Sequence, residues 1–402
     1  MLTPALALKI FEGFSIERWN DLVRPFELIE MDKAAEKMIA AYIIGKFEER
    51  RGRPIDWEWA MYAVFFDLLQ KIALSDIKSP VRRKIKNEFP REYRELSRWA
   101  LGQYDGLLYD RELLEGFESY MLGTPGNDPV RERTNLVLRG AHKYATFREL
   151  EMISLVNEPE RLQKIKAEIT EELADLRDLP GLQMLLNKER PYRFLLVIEQ
   201  LRFQNRWNQT PRVPKTSVLG HSFFVAALTL LLGRSQESPR CPRRRYNDFF
   251  SALFHDLPEA VTRDIISPVK QATGGLSEII KKIEAEVVAS ELTPLMEDFY
   301  RDELMFFTRD EFTDRVVIDG RTVPVSPEDL DGRYNRDDCS PAGGTVIRAA
   351  DHIAAFLEAD RSIKHGITST HLTEGRDNIR NSYAAARKIH GFDIRGFFAG
   401  FA

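Results

Sequence analysis

Residues 65–81, FFDLLQKIALSDIKSPV, are matched 188 positions later by residues 253–269, LFHDLPEAVTRDIISPV. Seven of the seventeen positions are identical: Phe66/Phe254, Leu69/Leu257, Asp76/Asp264, Ile77/Ile265, Ser79/Ser267, Pro80/Pro268 and Val81/Val269. The same offset sets ERWNDLVRP (17–25) against NRWNQTPRV (205–213), and VLRGAHKYATFREL (137–150) resembles VIRAADHIAAFLEA (346–359) at an offset of 209. Self-similarity on this scale implies one architecture built twice. The second copy has gained 209 − 188 = 21 residues between these blocks. The stretch RVVIDGRTVPVSPEDLDGRYNRDDCSPAGG, residues 315–344, is where the gain is expected.

Within each copy the pattern is helical. IEMDKAAEKMIAAYIIGKFEER, HSFFVAALTLLLG, YNDFFSALFHD, LSEIIKKIEAEVVASEL and GTVIRAADHIAAFLEADRSI repeat apolar residues every three or four positions, which favours helix packed on helix. Strand-like alternation is nearly confined to the insertion, where two β-branched runs flank Asp319-Gly320 and predict a tight hairpin. Asp178-Leu179-Pro180-Gly181 interrupts a charged helix, so the joint is expected near residue 185, dividing the chain into 1–185 and 186–402.

Composition excludes several classes. With 43% hydrophobic and 30% charged residues among 402, and no apolar run near the roughly 20 residues of a membrane span, a water-soluble chain with no membrane partner is expected. The opening MLTPALALKIFEGF lacks the basic start and cleavage site of a secretory signal, so the expected location is cytoplasmic. A net charge of −4 carries no strong nucleic-acid signal and favours a small substrate. Cys241 and Cys339 read as reduced and incidental, and the run Arg240, Arg243, Arg244, Arg245 as a solvated loop. His365, His371 and His390 read as surface groups.

Four ligand-type side chains interrupt apolar helices of the second copy: His221, the adjacent His255 and Asp256, and Asp351. A carboxylate placed alone in such surroundings is costly, so each needs a cation or a base. Imidazole with carboxylate suits Mn, Fe, Co, Ni, Zn or Mg. The order H…HD…D with the extension HDxxExxTxDIxxPVK resembles the HD-domain phosphohydrolase superfamily, most closely its YfbR-like 5′-deoxynucleotidases, over about residues 195–365.

That resemblance implies an all-α chain of two tandem HD-domain helical bundles, with one divalent metal ion held by His221, His255, Asp256 and Asp351. It implies that Glu259 orients or deprotonates the attacking water and that Asp264 assists proton transfer to the leaving oxygen. Arg206 and Trp207 match an Arg-Trp pair beside phosphate and sugar, and Thr262 and Lys270 complete the substrate-binding motif. The implied reaction is hydrolysis of deoxyribonucleoside 5′-monophosphates. Another nucleotide ester, or a nucleotide sensor without turnover, is the alternative. Two departures stand out: Gly220 where a glutamate is usual, and Arg263 where glycine is common.

In the first copy the equivalent positions hold Lys33, Asp67, Leu68, Lys71 and His142, so that site is expected to bind no metal, although Arg18, Trp19 and Asp76 persist. Docked on the active copy, it would form an intramolecular pseudo-dimer.

Overall fold

A computed structural model describes residues 2–75, 77–123, 128–235, 239–263, 275–385 and 388–401. The architecture is all-α with one two-stranded hairpin. Six helices frame the two halves: α1 (Glu30–Arg50), α2 (Trp57–Leu74) and α3 (Pro129–Ile153), then α4 (Val218–Arg234), α5 (Pro242–Phe254) and α6 (Gly344–Lys364). Local chemistry sets their starts. Asp56 accepts the Trp59 N–H, Asp128 accepts the Val130 N–H ahead of Pro129, and Ser217 accepts the Gly220 N–H. These are the oxygen caps that orphan N–H groups at a helix start require.

α1 and α4 are buried along nearly their whole length, as expected of helices sandwiched between other helices rather than lying on a surface. They pack on each other. Consequently the apolar core does not stop at residue 185 but forms one continuous cluster through both halves. Phe224 of α4 meets Phe11 and Phe14 at 5.7 Å, and Tyr42 of α1 meets Phe250 and Phe254 at 5.1 and 5.4 Å. Truncating a buried ring such as Phe224 costs about 3–5 kcal/mol. Polar contacts join the same face: the Tyr42 hydroxyl donates to Glu303 at 2.9 Å, and buried Arg202 pairs with Glu36.

The insertion forms the expected hairpin. Strands β1 (Arg315–Ile318) and β2 (Arg321–Pro324) pair antiparallel with Ile318 opposite Arg321, leaving a two-residue turn. Asp319 and Gly320 both take positive φ, +50° and +72°, as a type I′ turn demands. Buried Arg315 anchors it, donating to Ser251 and to the carbonyls of Phe306, Asp310 and Thr313.

Two expectations from sequence fail here. The arginine run is not a solvated loop: it enters α5, Arg240 and Arg244 are buried on Asp248 and Asp331, and Arg243 and Arg245 pair with Glu303 and Glu58. Nor is His390 a surface group. Its side chain is only 1% exposed, with Nδ1 2.7 Å from Asp331 and Nε2 2.7 Å from Thr345 Oγ1. Both features depend on carboxylates more than fifty residues distant, except for Asp248, so local composition could not reveal them. Both cysteines are free, as expected. Among the described residues no helix is long and apolar enough to cross a membrane.

Candidate metal centre

His221 sits in the first turn of α4, fully buried. Its Nε2 lies 3.0 Å from Asp351 Oδ1 of α6 and 3.9 Å from Asp256 Oδ2, while its Nδ1 lies 3.1 Å from Glu358 Oε1. His255 follows the last residue of α5 and directs Nδ1–H at the Ala252 carbonyl, 2.7 Å away. That bond leaves its Nε2 facing the cluster, 3.2 Å from Asp256 Oδ2. One ligand atom each from His221, His255 and Asp351 lie within 4.8 Å of one another. Asp256 borders this set through Oδ2, a buried oxygen that accepts no hydrogen bond among the described residues.

These contacts call for a cation. Both nitrogens of His221 face carboxylate oxygens, so with Nδ1–H committed to Glu358, the lone pair on Nε2 would point at Asp351. Only a proton or a metal ion between them relieves that repulsion. In the metal-free chain the proton does so: burial and Arg206 push the imidazole down, but Glu358 and Asp351 outweigh them and raise it to about 9. Burial works against ionised Asp351, yet His221, Arg206 and His255 hold it far below the usual carboxylate range. Glu358 is likewise held low, by Arg206 and His221 against the effect of burial. The donor set, two imidazoles and acid oxygens with one orphaned, fits a divalent ion.

Arg206 lies on the other side of the cluster, its guanidinium 3.6 Å from Asp256, 3.7 Å from Asp351 and 3.5 Å from Glu358. A short loop holds it there. Arg206 N–H donates to the Thr216 carbonyl, and Arg212 returns to donate to the Arg206 carbonyl and the Thr216 hydroxyl oxygen. Trp207 takes φ +54°, donates its indole N–H to Glu358 at 2.9 Å, and packs so closely on Gly375 that a β-carbon there would lie 2.5 Å from the ring.

Glu358 is the residue that motif reading missed. Fully desolvated, it accepts from His221, Trp207 and the Thr216 hydroxyl, and so ties the first imidazole to the Arg-Trp loop. A signal was present, since Glu149/Glu358 is an identity inside the aligned blocks 137–150 and 346–359. Seven residues separate it from Asp351, which is two helical turns and therefore the same face.

Among the other expected residues, Glu259 opens a single helical turn, Glu259–Thr262, half-buried near Arg206, and its carbonyl accepts from Gln204 at 3.0 Å. The Thr262 hydroxyl donates to the Pro258 carbonyl at 3.0 Å. Asp264 and Lys270 lie outside the described residues. Gly220 abuts the other half: a β-carbon would lie 2.7 Å from Asp32 Oδ1 and 3.0 Å from the Phe14 ring, so a glutamate has no room. Arg263 has φ +64°, a conformation in which glycine is at ease.

The first half repeats the geometry around different chemistry. Trp19 has φ +56° and donates to Glu149 at 2.9 Å; Arg18 donates to Glu149 at 3.1 Å and to Glu30 at 2.7 Å. The bridge Glu17↔Ile29 mirrors Asn205↔Ser217. Where the second half has imidazoles facing acids, this half has ammonium groups. Lys33 donates to Thr146 at 2.7 Å and to the His142 carbonyl at 3.2 Å, and Lys37 pairs with Asp67 at 2.6 Å. Burial pulls Lys33 down to about 7 despite Glu149.

Comparison with known proteins agrees with this picture. The family model described as "HD domain" matches residues 198–380. Over 177 residues the chain is 24% identical to the 5′-deoxynucleotidase of Vibrio atlanticus (strain LGP32), covering 43% of this chain and 76% of that protein.

Proposed function

Because the HD-domain family model matches residues 198–380, we propose that the C-terminal half of the chain is a metal-dependent phosphohydrolase acting on deoxyribonucleoside 5′-monophosphates. The supporting observation is the convergence of His221, His255 and Asp351 from three helical segments within 4.8 Å, beside the orphaned Oδ2 of Asp256. In this reading those four residues hold one divalent ion, which when bound supplies Lewis acidity and a water of lowered pKa. The name of the Vibrio relative supports the choice of substrate.

The chain's own groups divide the remaining work. The Arg206 guanidinium, now shared among three carboxylates, offers its N–H donors to the phosphoryl oxygens and offsets their charge. Glu259 takes a proton from the attacking water as its oxygen bonds to phosphorus. The bond from phosphorus to the sugar 5′-oxygen breaks, and that oxygen leaves protonated, with Asp264 as the donor. Glu358 holds His221 and Trp207 in place. The proposal extends to the first half, which we read as a second HD-like copy whose lysines replace the metal, docked as an intramolecular pseudo-dimer; the mirrored Arg-Trp loops support it.

A panel of deoxyribo- and ribonucleoside mono- and triphosphates, each with Mn, Co, Ni and Mg, tests the reading through phosphate release. Preferential turnover of deoxyribonucleoside monophosphates is expected. Asp256→Ala should lose both metal and turnover, whereas Glu259→Ala should keep metal and lose about 100- to 10,000-fold in kcat. Undiminished turnover in Glu259→Ala would remove that residue from the mechanism, and a metal-loaded protein inert toward every ester would end the reading.

A further inference from the structure

One open cleft of about 390 Å³ lies between the insertion and α6, and the insertion wall has no counterpart in the first half. One wall is the insertion, through Glu328 and Asp331. The opposite wall is α6, through Thr345 and Arg348, and Tyr383 and His390 complete it. Arg348 precedes Asp351 by three residues, one helical turn, and side chains on a helix lean toward its N-terminus. Arg348 therefore sets one edge of the cleft a helical turn from the candidate ligand Asp351.

Two chains of contact tie it to the centre. The Arg348 guanidinium lies over the Phe312 ring at 5.4 Å, and that ring is 6.1 Å from the His255 imidazole. The Tyr383 hydroxyl is 2.8 Å from Nδ1 of His352, the neighbour of Asp351. Arg348 is exposed and has no carboxylate partner among the described residues, although nearly every other cation of this region is paired. An unpaired guanidinium stacked on a ring at the mouth of a cleft is a group waiting for a planar or acceptor-bearing ligand. The buried contacts of His390 with Asp331 and Thr345 hold the insertion wall in position.

We infer that this cleft receives the nucleoside portion of the substrate, with Arg348 engaging the base and the insertion supplying the facing wall. The inference rests on the phosphohydrolase reading for the position of the phosphate, but nucleoside binding is measurable without turnover. A cleft of this volume accommodates a sugar and base, and its mix of ring faces, guanidinium and carboxylate suits a heterocycle better than a bare anion.

The test combines two measurements on the full chain. Calorimetric titration of chelated protein with deoxynucleosides reads the cleft alone, and hydrolysis of nucleoside monophosphates is compared with that of deoxyribose 5-phosphate, which carries no base. Arg348→Ala should weaken nucleoside binding and raise KM for nucleotides, lowering kcat/KM about 10- to 100-fold, with deoxyribose 5-phosphate turnover unchanged. Glu328→Ala should change the ranking of bases without altering baseless turnover, and Asp256→Ala should still bind nucleoside. Equal losses on both ester types, or none on either, would overturn the assignment while leaving the hydrolase reading intact. Nucleoside binding that depends on Arg348 in a protein inert toward all esters would support the cleft and sink the hydrolase reading. Absence of nucleoside binding by the wild-type chain would overturn the cleft.

Discussion

Replacing Glu358 by glutamine keeps the volume of a fully buried side chain but removes its charge. At present one carboxylate oxygen accepts from His221 Nδ1–H at 3.1 Å and from the Thr216 hydroxyl at 3.1 Å; the other accepts from Trp207 at 2.9 Å and faces Arg206 at 3.5 Å. An amide has one acceptor and one donor end, so whichever way it turns, its NH2 group confronts two donors. Each buried donor left without a partner costs about 1–3 kcal/mol, and two such losses, softened by rearrangement, give about 2–4 kcal/mol in stability. Because the His221 ring would lose its negatively charged partner, metal affinity should fall about 10- to 100-fold. Guanidinium unfolding of the chelated protein reads the first effect, and competition with a fluorescent chelator reads the second. Glu149→Gln is the control, because Glu149 takes the same indole and guanidinium bonds beside lysines instead of proposed ligands. It should lose similar stability and no metal affinity. A Glu358→Gln protein that binds metal within twofold of wild type and unfolds at the same midpoint would refute the argument.

Three further outcomes follow from the geometry. The purified chain should hold one divalent ion per molecule by metal analysis, because Leu68 cannot ligate, Lys37 pairs with Asp67 at 2.6 Å and Lys33 brings its ammonium within 3.8 Å of Glu149; two ions per chain would contradict this. Gly220→Ala should destabilise the protein by about 1–3 kcal/mol in chemical denaturation, since its new methyl would press on Asp32 and Phe14 across the halves. At His390, burial alone would lower the imidazole, but the hydrogen bonds to Asp314 and Asp331 outweigh it and raise its pKa, with Arg244 also close by. A raised histidine stabilises fully below its ordinary value of about 6.5, and that contribution disappears as pH climbs through the folded value. Hydrogen exchange across residues 315–340, corrected for its intrinsic pH dependence, should therefore accelerate as pH rises above about 6.5, and less so in His390→Asn.

Features decided by near neighbours were legible from the chain alone. The hairpin is an example: Asp319-Gly320 between β-branched runs accepts the two positive φ values that a type I′ turn needs, and it folds as expected. The helical periodicity likewise follows from short patterns, whereas the meeting of His221, His255 and Asp351, 34 and 96 positions apart, was expected from the family resemblance and is made by packing. The arginine run and His390 were misread for the opposite reason. Arg244 is neutralised by Asp331 and Arg245 by Glu58, and no local rule brings residues 87 or 187 positions apart into contact.

The amino-acid order determined that this protein is helical and that its C-terminal part carries imidazoles and carboxylates suited to a cation. Only tertiary packing decided that both halves share a single core, that Gly220 must stay small against Asp32, and that Glu358 joins His221 to the Arg-Trp loop. The physical reason is desolvation. A buried charge needs a partner, and which one it finds depends on how helices more than a hundred residues apart come to face each other.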